Sequence, residues 1–229
     1  MNEILIDDDF WGQFYYVKIP GGGTLTAEWK SGEIETANGS GFLIDRSHGL
    51  TGSGTAKRSE KRREKCVRIY SDEAITVCEL EGAWTYGFYV RQGKVHIDTS
   101  HCPSLQHFHC AKVSSLDLSE NPDLSRISIS YSDLAELDLS NNGKLEMLIL
   151  YHCDNLEVLD LSNCPRLVHL QLCYCPALKT VILGDESALH LYEYKAVALS
   201  RESEDKILCT IERNGGYVEK IYLGDSSQW

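Results

Sequence analysis

The sequence lacks the features of a chain that is exported or that crosses a membrane. No apolar run approaches the roughly 18 consecutive residues that a membrane-spanning helix requires. The acidic start, MNEILIDDDFWGQ, has no basic segment followed by an apolar core, so it does not resemble a signal peptide. We therefore expect a cytoplasmic protein with reduced thiols and no membrane insertion. A mature secreted or cell-surface chain is the alternative.

Positive charge is scarce. The 229 residues include 22 Lys and Arg against 34 Asp and Glu, which gives a net charge of −12. A nucleic acid would approach this chain against repulsion, so we expect none as the main partner. The exception is the basic segment 57–65, KRSEKRREK, which has no interleaved aromatic residues for base stacking. We predict that it is a solvated loop or short helix, with a dock for an acidic partner as the alternative.

The motifs of common enzyme classes are also missing. The sequence has no G-x-S-x-G, no P-loop, no H-E-x-x-H and no dinucleotide fingerprint after a strand. We therefore expect neither enzymatic activity nor a cofactor. The densest group of metal-ligand residue types is His101, Cys102, His107, His109 and Cys110, and these types suit zinc. A metal-binding protein or enzyme centred on this cluster remains the alternative.

The sequence does contain an internal repeat. Apolar triplets of the form L-x-x-L-x-L follow one another at steps of 11 residues, with a single step of 10. The last two apolar residues of each triplet are two apart, which fits a strand with one buried face. The triplets are Val113-Leu116-Leu118, Leu124-Ile127-Ile129, Leu134-Leu137-Leu139, Leu145-Leu148-Leu150, Leu156-Leu159-Leu161, Leu167-Leu170-Leu172 and Leu178-Val181-Leu183.

Two kinds of triplet alternate, so the structural unit is longer than 11 residues. The letters LDLS begin at Leu116, Leu137 and Leu159, which are steps of 21 and 22 residues. Each unit is therefore predicted to carry two short extended segments. Between segments a small or amide residue recurs at a predicted inward corner, where it can bond backbone groups that the turn leaves unpaired. The corner residues are Asn121, Asn142, Cys153, Cys164 and Cys175.

The same register extends beyond the clear array. The segment 97–105, IDTSHCPSL, aligns without gaps on 159–167, LDLSNCPRL, and so brings four of the five prolines to one structural position. Weaker triplets are Ile75-Cys78-Leu80, Leu105-Phe108-Cys110 and Val218-Ile221-Leu223. In this register Cys102 and Cys110 point inward whereas His107 and His109 point outward, which disfavours one shared metal ion.

The corner cysteines raise the question of a disulfide. Cys153 and Cys175 lie one unit apart, and the spacing of neighbouring strands, ~4.7–4.9 Å, allows a disulfide by Cα separation alone. Side chains stacked in parallel rarely point at one another as a disulfide requires. We therefore predict a ladder of reduced thiols inside the fold.

The repeated LDLS with Asn and Cys corners resembles a leucine-rich repeat. Residues from about 94 to 189 are most similar to the short, cysteine-containing bacterial type related to the internalins. This resemblance implies a parallel β-solenoid that binds protein or other macromolecular partners. The leading interpretation is a non-enzymatic interaction scaffold, and a secreted or cell-surface adhesin is the alternative.

Stacked units leave an apolar core open at each end, so caps are expected. Residues 1–74 are predicted as a β-rich N-terminal cap, with FYYVKI, TLTAEW and EIETA as strands and IPGGGTL and NGSGF as Gly-rich turns. Residues 75–189 form the predicted solenoid. Residues 190–229 form the C-terminal cap, in which ILCTIERNGGYVEKIYL is predicted as a closing hairpin. The predicted fold class is thus mainly β.

The two faces of the predicted strands differ. Asp117, Asp138 and Asp160 stack in one outward column, which we expect to be hydrated, bonded to neighbouring hydroxyls, or matched to a cation or basic partner. The alternate face carries aromatic, Met and Arg side chains, which are enriched in interface cores. We predict that this face binds a protein partner; coverage by the terminal units or by a second copy is the alternative. The predicted binding residues are Arg126, Tyr131, Met147, Ile149, Tyr151, His152, His169 and Tyr174.

Overall fold

The computed structural model of the chain describes residues 1–8, 13–45, 49–52, 66–82 and 95–220. The basic segment 57–65 lies outside these ranges. Within them the chain is mainly β with one helix, and no helix is both long and apolar enough to cross a membrane. The elements are β1 (Asn2–Asp8), β2 (Gln13–Trp29), β3 (Ile34–Asp45), β4 (Gly49–Gly52), β5 (Cys66–Ser71), β6 (Val77–Gly82), β7 (Val95–Asp98), β8 (His107–Ala111), β9 (Val113–Asp117), β10 (Arg126–Ser132), β11 (Met147–Cys153), β12 (Val158–Leu161), β13 (His169–Cys173), β14 (Thr180–Leu183), β15 (Leu191–Lys195), α1 (Arg201–Arg213) and β16 (Tyr217–Lys220).

Fourteen of these strands form one sheet, in the order β16-β15-β13-β11-β10-β8-β6-β2-β5-β1-β7-β9, with β3 paired to β2 and β4 to β3. From β8 to β16 the neighbouring strands are parallel. Strand β6 pairs parallel with β8 and antiparallel with β2, so it joins the repeated strands to the antiparallel N-terminal strands. The weak upstream triplet, Ile75-Cys78-Leu80, therefore does belong to the same series of strands.

The spacing of paired strands follows the unit length of the repeat. His107 pairs with Arg126, 19 positions on, which reflects the shortened turn after Cys110. Arg126 pairs with Met147, 21 positions on, and the next two steps, to His169 and Leu191, are 22 each. Equal steps place equivalent residues of successive units side by side.

The leucine positions of the repeat form the core. In β10 and β11, alternate residues are buried, and the buried set includes Ile127, Ile129, Leu148 and Leu150. Full burial of such a side chain contributes roughly 1.5–3 kcal/mol. The leucines that begin the triplets are buried at the turns before the strands: Leu105, Leu124, Leu145, Leu167 and Leu189.

The second extended segment of each unit forms strands only in part. Strand β9 pairs parallel with β7, and β12 pairs parallel with β14 in a separate two-stranded sheet. The triplet Leu134-Leu137-Leu139 lies between these two pairs and is not a strand, although all three leucines are buried. The pattern therefore predicted the buried face correctly but not the backbone pairing of this segment.

The predicted asparagine corners are buried and hydrogen-bonded to the preceding unit. Asn121 Nδ2 donates to the carbonyl oxygens of Thr99 and Cys102 at 2.9 Å each, and its Oδ1 accepts from the Thr99 hydroxyl at 2.7 Å. Asn142 Nδ2 donates to the carbonyls of Leu118 and Asn121 at 3.1 and 3.0 Å. Leu118 occupies the position equivalent to Thr99 and has no hydroxyl, so Asn142 Oδ1 has no hydrogen-bond partner among the described residues.

The cysteine corners use weaker bonds of the same kind. The thiols of Cys153, Cys164 and Cys175 are free and buried. Each thiol donates to a backbone carbonyl of the preceding unit at 3.8–3.9 Å; the acceptors are Ile129, Leu139 and Leu150. A corner position is thus occupied by a small buried side chain that can donate to a backbone carbonyl of the preceding unit.

Two Gly-rich segments predicted as turns lie inside strands instead. Residues 19–25, IPGGGTL, belong to β2, and residues 38–42, NGSGF, belong to β3. The pairing of β2 with β3 shifts between Lys18 and Gly23, and Gly22 has a φ of 74°. The glycines accommodate a bulge in one long hairpin, because they alone adopt such dihedral angles without strain.

The predicted closing hairpin at the C-terminus is wrong. Residues 201–213 form α1, whose Ser200 side chain caps the first turn by accepting from the Ser203 amide. Ile207 and Ile211, four residues apart, are buried on one face of the helix. Residues 202–206, ESEDK, lie in the first turns of this helix. The buried residues of the helix, Ser203, Ile207, Thr210 and Ile211, follow the i, i+4, i+7, i+8 spacing of an amphipathic helix, and this spacing outweighs the turn signal that follows.

The NGG segment ends the helix rather than joining two strands. Asn214 is the C-cap and Gly215 has a φ of 68°. The Asn214 amide donates to the carbonyls of Ser187 and Leu189 at 3.0 and 2.8 Å, as the corner asparagines do. Strand β16 then pairs parallel with β15, which places Val218 beside Tyr192. The rest of the predicted closing triplet, Ile221 and Leu223, lies outside the described residues.

The asparagine corners generate a stability prediction. We expect Asn121→Ala and Asn142→Ala each to lower the free energy of unfolding by about 1–3 kcal/mol, because each removes two buried side-chain hydrogen bonds to carbonyls that then keep one backbone donor each. The loss should be larger for Asn121→Ala, since Asn142→Ala also removes a buried oxygen that accepts no hydrogen bond. Urea denaturation measures both, with the exposed Asn163→Ala as the control. A larger loss for Asn142→Ala would contradict the hydrogen-bond assignment.

Candidate functional site

The outer face of the parallel strands is built from two rows of aligned side chains. In-register pairing of β8, β10, β11, β13 and β15 aligns one residue from each strand, and residues two positions on form the next row. The side chains of both rows are half-buried, except that Arg126 is exposed. The first row is His107, Arg126, Met147, His169 and Leu191, and the second is His109, Ser128, Ile149, Gln171 and Glu193.

At the centre of each row an apolar side chain is flanked by polar ones. Met147 and Ile149 lie at the centre, on β11. On the next two strands His169 Nε2 contacts the Glu193 carboxylate, and the side chains are 17% and 21% exposed. Glu193 was not among the predicted binding residues, because the triplet of its strand, Leu189-Tyr192-Tyr194, has tyrosine where the others have leucine or isoleucine. The constant step of 11 from Leu178 was the signal that could have revealed it.

Four of the predicted binding residues form one aromatic cluster at the carboxyl ends of β10, β11 and β13. The rings of Tyr131, His152 and Tyr174 are stacked face to face, with centroid distances of 4.9 and 4.6 Å and interplanar angles of 10° and 3°. Tyr151 lies edge-on to all three at 4.8–5.5 Å. We call these four residues the aromatic stack. Tyr131 is 42% exposed and the others are half-buried.

The backbone at the stack is left-handed. Tyr131, His152 and Tyr174 have φ values of 52°, 53° and 54°, which bulky residues seldom adopt. Lys112 and Ala196, at the equivalent positions of the flanking strands, have φ values of 61° and 50°. The conformation thus recurs once per unit where a strand turns into its corner, and it projects three rings in the same direction at strand spacing.

Burial favours the neutral forms of two residues of the stack, His152 and Tyr151. Burial lowers the pKa of His152, and the Asp154 carboxylate, 3.8 Å from His152 Nδ1, opposes this only in part. Burial and the hydroxyls of Tyr131 and Tyr174 raise the pKa of Tyr151 above its usual range. Lys195 Nζ lies 5.0 Å from the centroid of the Tyr174 ring and supplies a cation at that end. The stack therefore presents ring edges and neutral donors.

The metal-like cluster is split between the two faces of the fold. Cys102 and Cys110 are buried, whereas His107 and His109 alternate with the buried side chains of β8 and face outward. His101 is exposed and its ring lies 3.1 Å from the Ser100 hydroxyl. Across the described ranges, no three His, Cys, Asp or Glu side chains are grouped closely enough to hold a metal ion.

The predicted aspartate column has a structural role in the turns. The carboxylates of Asp117, Asp138 and Asp160 each accept the backbone N–H of the serine two residues on, at 2.9 Å. The amide and hydroxyl of Ser119 hold the pKa of Asp117 below its usual range, and those of Ser140 do the same for Asp138. The expected bonds to neighbouring hydroxyls are therefore present at both positions.

The lowered pKa values generate a pH prediction. Because the folded pKa of Asp138 lies below the unfolded value of about 3.9, its stabilising effect is complete above pH ~4 and is lost as the pH falls through the folded pKa. We expect Asp138→Ala to melt at a lower temperature than the parent at pH 7, and the gap to narrow toward pH 2. Thermal melts followed by circular dichroism measure this. The control is Glu136→Ala, an exposed carboxylate in the same unit, and an equal pH-dependent gap for it would refute the assignment.

Comparison with known proteins adds a structural likeness. No protein-family model and no curated protein matches the chain. Among solved structures, the functional domain of InlJ from Listeria monocytogenes, described as including a cysteine ladder, is similar at 18% identity with a TM-score of 0.33. The similarity covers 44% of this chain and 28% of that chain, so this chain spans less than a third of it.

Proposed function

We propose that the chain is a non-enzymatic protein-interaction module whose repeated units are those of a leucine-rich-repeat solenoid. It binds a protein partner through the outer rows of β8, β10, β11, β13 and β15 together with the aromatic stack. The observation that carries this proposal is the stack itself, in which three rings are stacked at strand spacing and a fourth lies edge-on to them at the carboxyl ends of β10, β11 and β13.

The repeat supports the solenoid. Steps of 21–22 residues between paired strands recur with buried leucines and with Asn or Cys corners that bond the preceding unit. Among the described residues, the buried leucines of successive units form one continuous core, as stacked solenoid repeats do.

The chemistry of the face supports binding. Tyrosine, methionine and arginine are enriched in interface cores, and Tyr and Arg are frequent among residues that dominate binding energy. Paired strands hold Met147, Ile149 and the stacked rings in place before a partner arrives, so little side-chain entropy is lost on binding. The proposal fits both compartments that the sequence leaves open, the cytoplasm and the cell surface, because the same face would be used in either.

A paired set of variants tests the binding face. We expect the triple variant Met147→Ser, Tyr151→Ser, Tyr174→Ser to lose at least tenfold in the recovery of proteins that the parent chain captures from its source cells. The control is Val158→Ser with Ile182→Ser, which removes apolar side chains that are 49% and 42% exposed on β12 and β14. Recovery by the control should change less than twofold. Quantitative mass spectrometry measures recovery, and thermal melts establish that both variants are folded.

The aspartate face offers the contrary outcome. Asp117→Asn, Asp138→Asn, Asp160→Asn removes three charges while each amide oxygen can still accept the turn hydrogen bond. If the aspartate variant loses recovery of the captured proteins and the Met147, Tyr151, Tyr174 variant does not, the partner binds the aspartate face and the proposed face is wrong.

A further inference from the structure

The spacing of the aromatic stack restricts what can bind along it. The centroid distances of 4.9 and 4.6 Å between nearly parallel rings together place Tyr131 and Tyr174 about 9.5 Å apart. Two steps of the ~4.7–4.9 Å strand spacing give the same distance. Equivalent groups therefore recur at about 9.5 Å along the row, with His152 midway between them.

Few regular chain conformations repeat at this distance. A polyproline II helix has three residues per turn and rises ~3.1 Å per residue, so its equivalent groups recur every ~9.3 Å. In an extended strand, residues on the same side recur every ~6.6–6.8 Å, and in an α-helix each turn rises ~5.4 Å. Only the polyproline II repeat matches one tyrosine to each turn of a bound segment.

The hydrogen-bonding groups also match. Proline has no backbone N–H, and the carbonyls of a polyproline II segment make no bonds within the helix, so a proline-rich segment offers acceptors only. The stack carries the hydroxyls of Tyr131 and Tyr174, which can donate hydrogen bonds, and the imidazole of His152 between them. The hydroxyl of Tyr131 is hydrogen-bonded to that of Tyr151, which orients it, and a tyrosine hydroxyl can accept one bond while donating another.

Charged residues flank the stack. Lys195 lies over the ring of Tyr174. Beside Tyr131, the equivalent position of the neighbouring strand is Lys112, and Asp133 is exposed two residues after Tyr131. Asp154 lies beside His152 in the middle of the stack, with its side chain 60% exposed. A bound segment that carries an acidic residue near Lys195 is therefore complementary to the Tyr174 end.

We propose that the aromatic stack docks a proline-rich segment of the partner in the polyproline II conformation, with an acidic residue at the Tyr174 end. This rests on the proposed function and specifies the partner segment for the same site. Prolines pack on the ring edges, and carbonyls three residues apart accept from Tyr131 and Tyr174.

Synthetic peptides test the proposal on the full chain. The probes are the peptides EPPPPPPR and RPPPPPPE, because either chain direction can bring the acidic residue to Lys195, and EGSGSGSR is the flexible control of equal charge and length. We expect saturable binding of at least one proline peptide, at least tenfold tighter than the control peptide. Fluorescence polarisation of end-labelled peptides measures the affinities. Equal affinity for the proline and Gly-Ser peptides would overturn the proposal.

Conservative variants test the named contacts. Tyr131→Phe and Tyr174→Phe keep the rings and the stack but remove one hydroxyl each, and each should weaken the binding of the proline peptide at least threefold. Tyr217→Phe, which changes an exposed tyrosine on β16, should leave binding unchanged. Lys195→Glu should weaken binding of the preferred peptide. Binding that none of the stack variants changes would show that the peptide occupies another surface.

The remaining outcomes separate this proposal from the proposed function. If partner capture depends on Met147, Tyr151 and Tyr174 but neither proline peptide binds, the polyproline proposal is wrong and the interaction module stands. If the stack instead mediates a dimer, analytical ultracentrifugation will show a concentration-dependent dimer that Tyr174→Ser abolishes, and a second copy of the chain is then the occupant.

Discussion

In-register parallel pairing between successive units is the constraint on which the rest of the structure depends. Because paired residues are 21 or 22 positions apart through the centre of the sheet, each position of the unit lies beside its equivalent in the next. One buried position therefore becomes a continuous row of leucine, isoleucine or tyrosine, and one turn position becomes a row of side chains along an edge. A shift of one residue between strands would exchange the buried and outer faces, so the register between paired strands is tightly specified even where the unit length differs.

The corners set the second requirement, since every turn leaves carbonyls inside the fold. Asn121 and Asn142 satisfy two carbonyls each, and Cys153 and Cys175 reach one carbonyl of the preceding unit through longer bonds. The same turns use aspartate on the outer side, where a carboxylate accepts a backbone N–H. Part of the net charge of −12 therefore reflects turn geometry. These charges repel one another, and their hydrogen bonds to the serines offset that repulsion.

The features that repeat were predictable, and the features that occur once were not. Leucine spacing predicted the buried rows, and the recurring Asn and Cys predicted the corners, because a periodic pattern reports a periodic environment. The helix α1 occurs once among the described residues. The sequence therefore offered no repeated helical segment to compare with it, and NGG was predicted as a hairpin turn. The Gly-rich part of β2 was likewise taken as a turn, because a bulge inside a long hairpin has the same composition.

For the outer face of the parallel strands, periodicity predicted which side chains point outward but not their mutual contacts. Tyr131, His152 and Tyr174 were assigned to the outer face from their positions in the unit. Their stacking depends on a left-handed φ, and a tyrosine or histidine in the sequence does not predict that conformation. The pairing of His169 with Glu193 was missed because tyrosine replaced the leucines that mark β15.

The recurring left-handed residues at the strand ends show which features the turn requires and which features belong to the surface. A left-handed residue costs of order 1–3 kcal/mol, and stacked aromatic pairs recover about 0.5–1.5 kcal/mol each. Lys112 and Ala196 adopt the same φ without any ring, so the turn itself imposes the conformation and does not require aromatic side chains. Glycine would meet the backbone requirement at lower cost. The aromatic residues at 131, 152 and 174 are therefore better explained by the surface they create than by the turn they occupy.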